Sequence, residues 1–163
     1  MIVKPPRGAT LDPTHPLSRG LVGAWLFNEG GGSKVFDYSF HNWQYYNDLV
    51  NGAYFHPSGG IYFDGVDDYL KLRLFPTDFG SEVTMVAGIN IFRAIGNYEM
   101  IAAADNSFPD RTFHFRRTTT GELEWVMFTP TDSPHVITGS RILDSGVDWN
   151  VAVVQTSSGE SKL

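Results

Sequence analysis

From Glu82 to Phe92 apolar side chains fall on every second residue. Val83, Met85, Ala87, Ile89 and Ile91 share one side of an extended chain, the period of a strand with one covered face. The same period runs from Arg111 to Arg117, where Phe113 and Phe115 oppose Thr112, His114 and Arg116. It returns from Glu122 to Phe128, where Leu123, Trp125 and Met127 oppose Glu124, Val126 and Phe128. Thr118-Thr119-Thr120-Gly121 between them predicts a turn, so these two segments form a hairpin. Shorter apolar runs at 21–27, 35–39, 61–63, 69–74, 98–104, 135–143 and 148–156 read as further strands. No stretch of about twelve residues carries the 3.6-residue stripe of a helix. About ten short strands at this spacing predict an all-β chain folded as an antiparallel two-sheet sandwich.

Composition agrees with that pattern. Seventeen glycines and nine prolines spread along 163 residues supply the turns that many short strands need. A length of 163 residues suits one domain with a sizeable core. Formal net charge is −6 and the pI about 5.2, so a phosphate backbone finds no electrostatic attraction and nucleic acid is not expected as a partner. Arg116-Arg117 reads as charge protecting an exposed strand edge. There are no cysteines, which excludes a disulfide framework and thiol chemistry. The opening Met1–Gly8 lacks the apolar stretch of a signal peptide, and no run has membrane-spanning length.

Three carboxylates, Asp64, Asp67 and Asp68, crowd a turn in Phe63-Asp64-Gly65-Val66-Asp67-Asp68-Tyr69-Leu70-Lys71-Leu72. Asp64-Gly65 is the step that lets a chain reverse at positive φ. Together with Gly20–Gly30, reading GLVGAWLFNEG, and the later Asp148-Trp149-Asn150-Val151-Ala152-Val153-Val154, this stretch resembles a laminin-G-like domain. Such domains belong to the concanavalin A-like lectin/glucanase superfamily, and the opening Pro5-Pro6-Arg7-Gly8 with His15-Pro16-Leu17-Ser18-Arg19-Gly20-Leu21-Val22-Gly23 resembles the start of those encoded by phages and environmental viruses. The resemblance covers residues 20–163 and implies a jelly-roll sandwich. Resembling domains continue past the turn at 155–159 for at least one more strand, so the jelly roll is expected to be incomplete at this end. Residues 1–19, with Pro5, Pro6, Pro13 and Pro16, read as an extended arm: either a disordered leader or an arm docked on a neighbouring subunit.

The superfamily includes glucanases, but the nearest pair of acids, Glu122 and Glu124, lacks the third acid of the family pattern. It reads as a solvated strand face, so catalysis is not expected. The five histidines show no metal-ligand spacing. Asp37, Asp64, Asp67 and Asp68 are the candidate metal ligands. Calcium, which takes oxygen donors from loops, is the cofactor the resemblance implies, while turn chemistry explains the same acids without an ion. Asn42, Trp43, Gln44, Tyr45 and Tyr46 concentrate aromatics and amides in one loop. Aromatic faces stack on sugar rings while amides pair with hydroxyls, so these five residues are the candidate carbohydrate site. The alternative is that they close one end of the sandwich. The function expected is lectin-like: a non-catalytic recognition module holding glycan at one rim. The second expectation is a capsid or tail decoration protein, a homo-oligomer or a partner of other virion subunits, assembled through its arm and its C-terminal edge. Either places the chain on a virion surface or outside the cell after lysis.

Overall fold

A computed structural model describes residues 5–39, 46–73, 82–92, 94, 96–104, 113–128, 134–158 and 160–163. Among these, every regular element is a strand apart from one 3-10 turn, Pro16–Ser18. The chain divides into two compact units, Val3–Asp78 and Phe79–Leu163.

The N-terminal unit holds five short strands: β1 (Lys34–Phe36), β2 (Tyr46–Val50), β3 (Tyr54–Phe55), β4 (Ile61–Tyr62) and β5 (Tyr69–Lys71). β2 lies between β1 and β5 in an antiparallel sheet, and β3 and β4 pair separately. Val35 and Asn47 point inward and are buried, while Lys34, Phe36, Tyr46, Tyr69 and Lys71 face solvent. Part of the N-terminal arm is tied to its own unit: Asn28 Nδ2 donates to the carbonyls of Pro6 (2.8 Å) and Ala9 (3.2 Å).

The C-terminal unit carries β6 (Val83–Asn90), β7 (Glu99–Ala104), β8 (Phe113–Arg117), β9 (Glu122–Met127), β10 (His135–Ile142), β11 (Asp148–Gln155) and β12 (Ser161–Lys162). They form two antiparallel sheets, ordered β10-β9-β8-β7 and β12-β11-β6. The alternation of β6, β8, β9 and β11 delivers Phe113, Phe115, Leu123, Trp125, Val151 and Val153 to one apolar core between them. Trp125 is its centre: fully buried, stacked on Phe113 at 5.0 Å and edge-on to Phe115 at 6.2 Å. Its indole N–H donates to Gln155 Oε1 of the facing sheet (3.3 Å), which satisfies the one polar atom that burial would strand. The predicted hairpin is present, with Arg117 opposite Leu123 and Gly121 at positive φ in the turn.

Four expectations need correction. Leu21–Phe27 is not a strand. Asp37 Oδ1 takes the Ala24 N–H, and the Ala24 carbonyl accepts from Tyr38 N–H, so this run is held by single bonds rather than a ladder. Arg116-Arg117 does not guard an edge, since β8 is an inner strand between β7 and β9. Glu124 is not on a solvated face: it is buried and bonded to Arg116 (Nε to Oε1, 2.6 Å). Tyr46 belongs to no loop; it heads β2, opposite Phe36.

Candidate functional site

The outward face of the β1-β2-β5 sheet gathers most of the unabsorbed chemistry among the described residues. Antiparallel register aligns Lys34 of β1 with Asp48 of β2, and Asp48 with Lys71 of β5. Side chains directly opposite on one face lie close enough to interact. The Lys34 ammonium bonds the Asp48 carboxylate, and Arg73 Nη2 approaches its other oxygen at 3.5 Å. The hydrogen bond from Lys34, with Arg73 behind it, holds the Asp48 carboxyl below its ordinary value.

One register step away, Phe36 and Tyr46 meet edge to face at 5.2 Å while remaining 43% and 52% exposed. Tyr38 lies beside Phe36 at 6.4 Å. These rings are set by backbone bonds rather than by burial. Phe36 N–H donates to Glu29 Oε1 (2.8 Å), fixing the end of β1. Buried Asn47 donates to the Val35 carbonyl (3.3 Å) and accepts from Arg73 N–H (2.8 Å), which places Arg73 on the same face two residues past Lys71. At the other end of the sheet Tyr69 is also half exposed. A second aromatic group, Tyr54, His56 and Tyr62, holds its rings within 5.3–6.5 Å at tilts of 32–36° on the β3–β4 pair.

Of the five residues expected to bind carbohydrate, Tyr46 is placed on this face. Asn42, Trp43, Gln44 and Tyr45 lie outside the described residues. Phe36, Lys71 and Arg73 were not singled out from the sequence. Their signal is the i, i+2 alternation of charge and aromatic in Lys34-x-Phe36, Tyr46-x-Asp48 and Tyr69-x-Lys71-x-Arg73.

The fold brings three of the four candidate metal ligands together. Oxygens of Asp64, Asp67 and Asp68 lie within 4.8 Å of one another, and Asp37 is not among them. Asp37 is buried, and its Oδ1 accepts from Ala24 N–H (3.0 Å) and Ser39 N–H (2.8 Å). The gathered donors are of the oxygen type that calcium takes. Turn bonding accounts for Asp64 and for one oxygen of Asp68, whose Oδ1 is buried without a hydrogen bond among the described residues. Asp64 Oδ1 accepts from Val66 N–H (2.8 Å), Asp68 Oδ2 accepts from Asp64 N–H (2.9 Å), and Gly65 sits at φ 71°.

In the C-terminal unit both arginines of β8 are already paired. Arg116 pairs with Glu124 and lies over the Tyr98 ring at 4.0 Å, and Arg117 pairs with Glu99 at 2.8 Å. Glu122 is held below its ordinary value by the Thr120 and Thr118 hydroxyls. Among the described residues no helix is long and apolar enough to cross a membrane. Comparison of the chain with protein-family models, with curated proteins and with solved structures finds no match.

Proposed function

We propose that the chain is a non-catalytic recognition module that binds carbohydrate on the solvent face of the β1-β2-β5 sheet. The observation that carries this reading is the Phe36–Tyr46 pair: two half-exposed rings, fixed on neighbouring strands, beside a row of charged side chains. A pyranose presents an apolar C–H face to such rings, and its hydroxyls reach the polar row. Because the rings sit on strands, little side-chain or backbone order has to be gained on binding. The fold proposed with it is the concanavalin A-like jelly roll, supported by two antiparallel sheets closing over the Trp125 core.

The test is a glycan array followed by titration of whichever saccharide is retained. Tyr46→Ala and Phe36→Ala each remove one stacking partner, worth about 0.5–1.5 kcal/mol, or roughly two- to tenfold in affinity. Folded wild-type protein that retains no saccharide, or variants that bind as well as wild type, refutes the proposal.

Assembly into a larger particle is a second reading, favoured by a separate observation. The outward side of β6 and β11 presents exposed Val86, Ala152 and Val154, with Val86 opposite Ala152, and Phe92 follows β6 in solvent. Exposed apolar groups of this kind mark association surfaces once they are contiguous. Sedimentation of a monomer at all concentrations removes this reading.

A further inference from the structure

The polar groups on the carbohydrate face are unevenly spent, and the imbalance specifies the ligand. Of the two carboxylates here, Asp48 is occupied by Lys34 and Arg73, and Glu29 takes the Phe36 N–H with its other oxygen buried. The one amide of this face among the described residues, Asn47, points inward and is used up on Val35 and on Arg73 N–H. What remains toward solvent is donors. Lys71 makes no ion pair among the described residues, and the half-exposed Arg73 guanidinium commits only Nη2, at 3.5 Å. Lys34, Lys71 and Arg73 against Asp48 and Glu29 leave this face one positive charge in excess on a chain whose net charge is −6. Charges beyond about 8–10 Å are screened at physiological salt, so the local excess decides what approaches. A neutral sugar needs acceptors for its hydroxyl protons as much as donors; this face offers donors.

We infer that the saccharide recognised here is anionic, its carboxylate or sulfate bound by Lys71 and Arg73 while a ring of the sugar stacks on Phe36 and Tyr46. The inference rests on the carbohydrate reading above and narrows it. Charge complementarity selects this occupant, and the aromatic pair beside Arg73 separates it from a free inorganic anion, which has no apolar face to stack.

The experiment titrates the full chain with three oligosaccharides of equal length: a neutral glucan, an oligogalacturonate and a heparin-derived fragment. Each titration is run at about 50 and about 300 mM salt. Expected is binding of at least one anionic oligosaccharide in preference to the glucan, weakening as salt rises. An exposed charge pair supports only a modest loss, so Lys71→Gln and Arg73→Gln should each weaken anionic binding about two- to fivefold and reduce its dependence on salt. Tyr46→Ala should weaken anionic binding and any residual glucan binding. Whether the carboxylated or the sulfated ligand binds tells which anionic group is read; either supports the inference. Equal, salt-independent binding of glucan and anionic ligands overturns it and leaves the carbohydrate reading standing. Inorganic sulfate competing as well as the sulfated sugar also overturns it. Failure of all three saccharides to bind a chain shown by circular dichroism to be folded overturns both.

Discussion

Arg117 is 1% exposed, on the inward side of β8 with Phe113 and Phe115, and only one of its nitrogens has a partner among the described residues. Nη1 donates to Glu99 Oε2 at 2.8 Å, while Nε and Nη2 have none. A desolvated guanidinium depends on its counter-ion, so Glu99→Gln should destabilise by leaving the shape in place and removing the charge. Breaking a buried pair this way costs about 3–5 kcal/mol. The Glu99 side chain is 26% exposed, and solvent weakens its hold on Arg117, so about 2–3 kcal/mol is the appropriate expectation. For a chain of this size that lowers Tm by roughly 5–10 °C. Arg117→Met should cost less than Glu99→Gln: it removes the cation together with its two stranded nitrogens and leaves a carboxylate that water can reach. Adding Glu99→Gln to Arg117→Met should then cost under about 0.5 kcal/mol. Urea unfolding of the four proteins gives the cycle, read by tryptophan fluorescence and by far-ultraviolet dichroism because the chain has two compact units. Glu99→Gln within about 0.5 kcal/mol of wild type, or Arg117→Met the worse of the two, would refute the reasoning.

Three further outcomes follow from the same coordinates. Thr118 is buried, and its Oγ1 accepts from Gly121 N–H and Glu122 N–H (3.1 Å each) while donating to Glu122 Oε2 (2.7 Å). Thr118→Ala should therefore cost about 1–3 kcal/mol in denaturant unfolding, with Thr118→Ser near wild type; an unchanged midpoint for the alanine variant would show the hydroxyl is not the clamp. The Asp67 carboxylate makes no hydrogen bond among the described residues, whereas Asp68 Oδ2 takes the Asp64 N–H. Turn chemistry alone then predicts that Asp67→Asn is neutral or stabilising and Asp68→Ala costs about 1 kcal/mol. A rise in Tm with calcium that Asp67→Asn abolishes would instead establish an ion at this turn. Asp48 and Glu122 have folded pKa values below their ordinary 3.8 and 4.5. Their contribution to stability is present above those values and is lost as pH falls through the depressed ones. The acid limb of a stability profile should therefore flatten in Asp48→Asn and in Glu122→Gln, and Asp48→Asn should also strengthen binding of a sulfated saccharide by freeing Lys34 and Arg73.

The C-terminal unit was legible because half-buried strands print their period on the sequence. Val83 through Ile91 alternate as a strand covered on one side requires, and Thr118–Gly121 announced the hairpin. The N-terminal unit was less so. Strands of two or three residues such as β3, β4 and β5 are too short to show a period. Leu21–Phe27 looks like a buried strand in composition, yet its bonds come from the Asp37 side chain and the Tyr38 backbone. Arg117 reads as a surface residue because nothing local betrays Glu99, eighteen positions earlier, as its partner. The face proposed to bind a ligand was legible only at Tyr46. Lys71 and Arg73 join it through a register that links β2 to β5 across more than twenty residues, and local pattern does not encode a non-local register.

The same strand logic, applied twice, yields two surfaces with different capacities. On β8 and β9 both sides of the strand are mostly buried, so a buried charge needs a neutralising neighbour: Arg116 has Glu124 and Arg117 has Glu99, while the less buried Glu122 is held by the Thr118 and Thr120 hydroxyls. A surface whose charges are already matched has little left to offer a ligand. β1, β2 and β5 bury only one side, so their outer charges need no partner for the fold to stand. Folding therefore does not force Lys34, Lys71 and Arg73 to be balanced by more than Asp48 and Glu29, nor Phe36 and Tyr46 to be covered. Exposed rings forgo the burial that aromatics ordinarily contribute to stability, and unmatched cations forgo their pairing. Both forfeits fall on adjacent positions of one rigid face. That coincidence is the physical reason to look for the ligand there rather than on the better-packed sheets of the C-terminal unit.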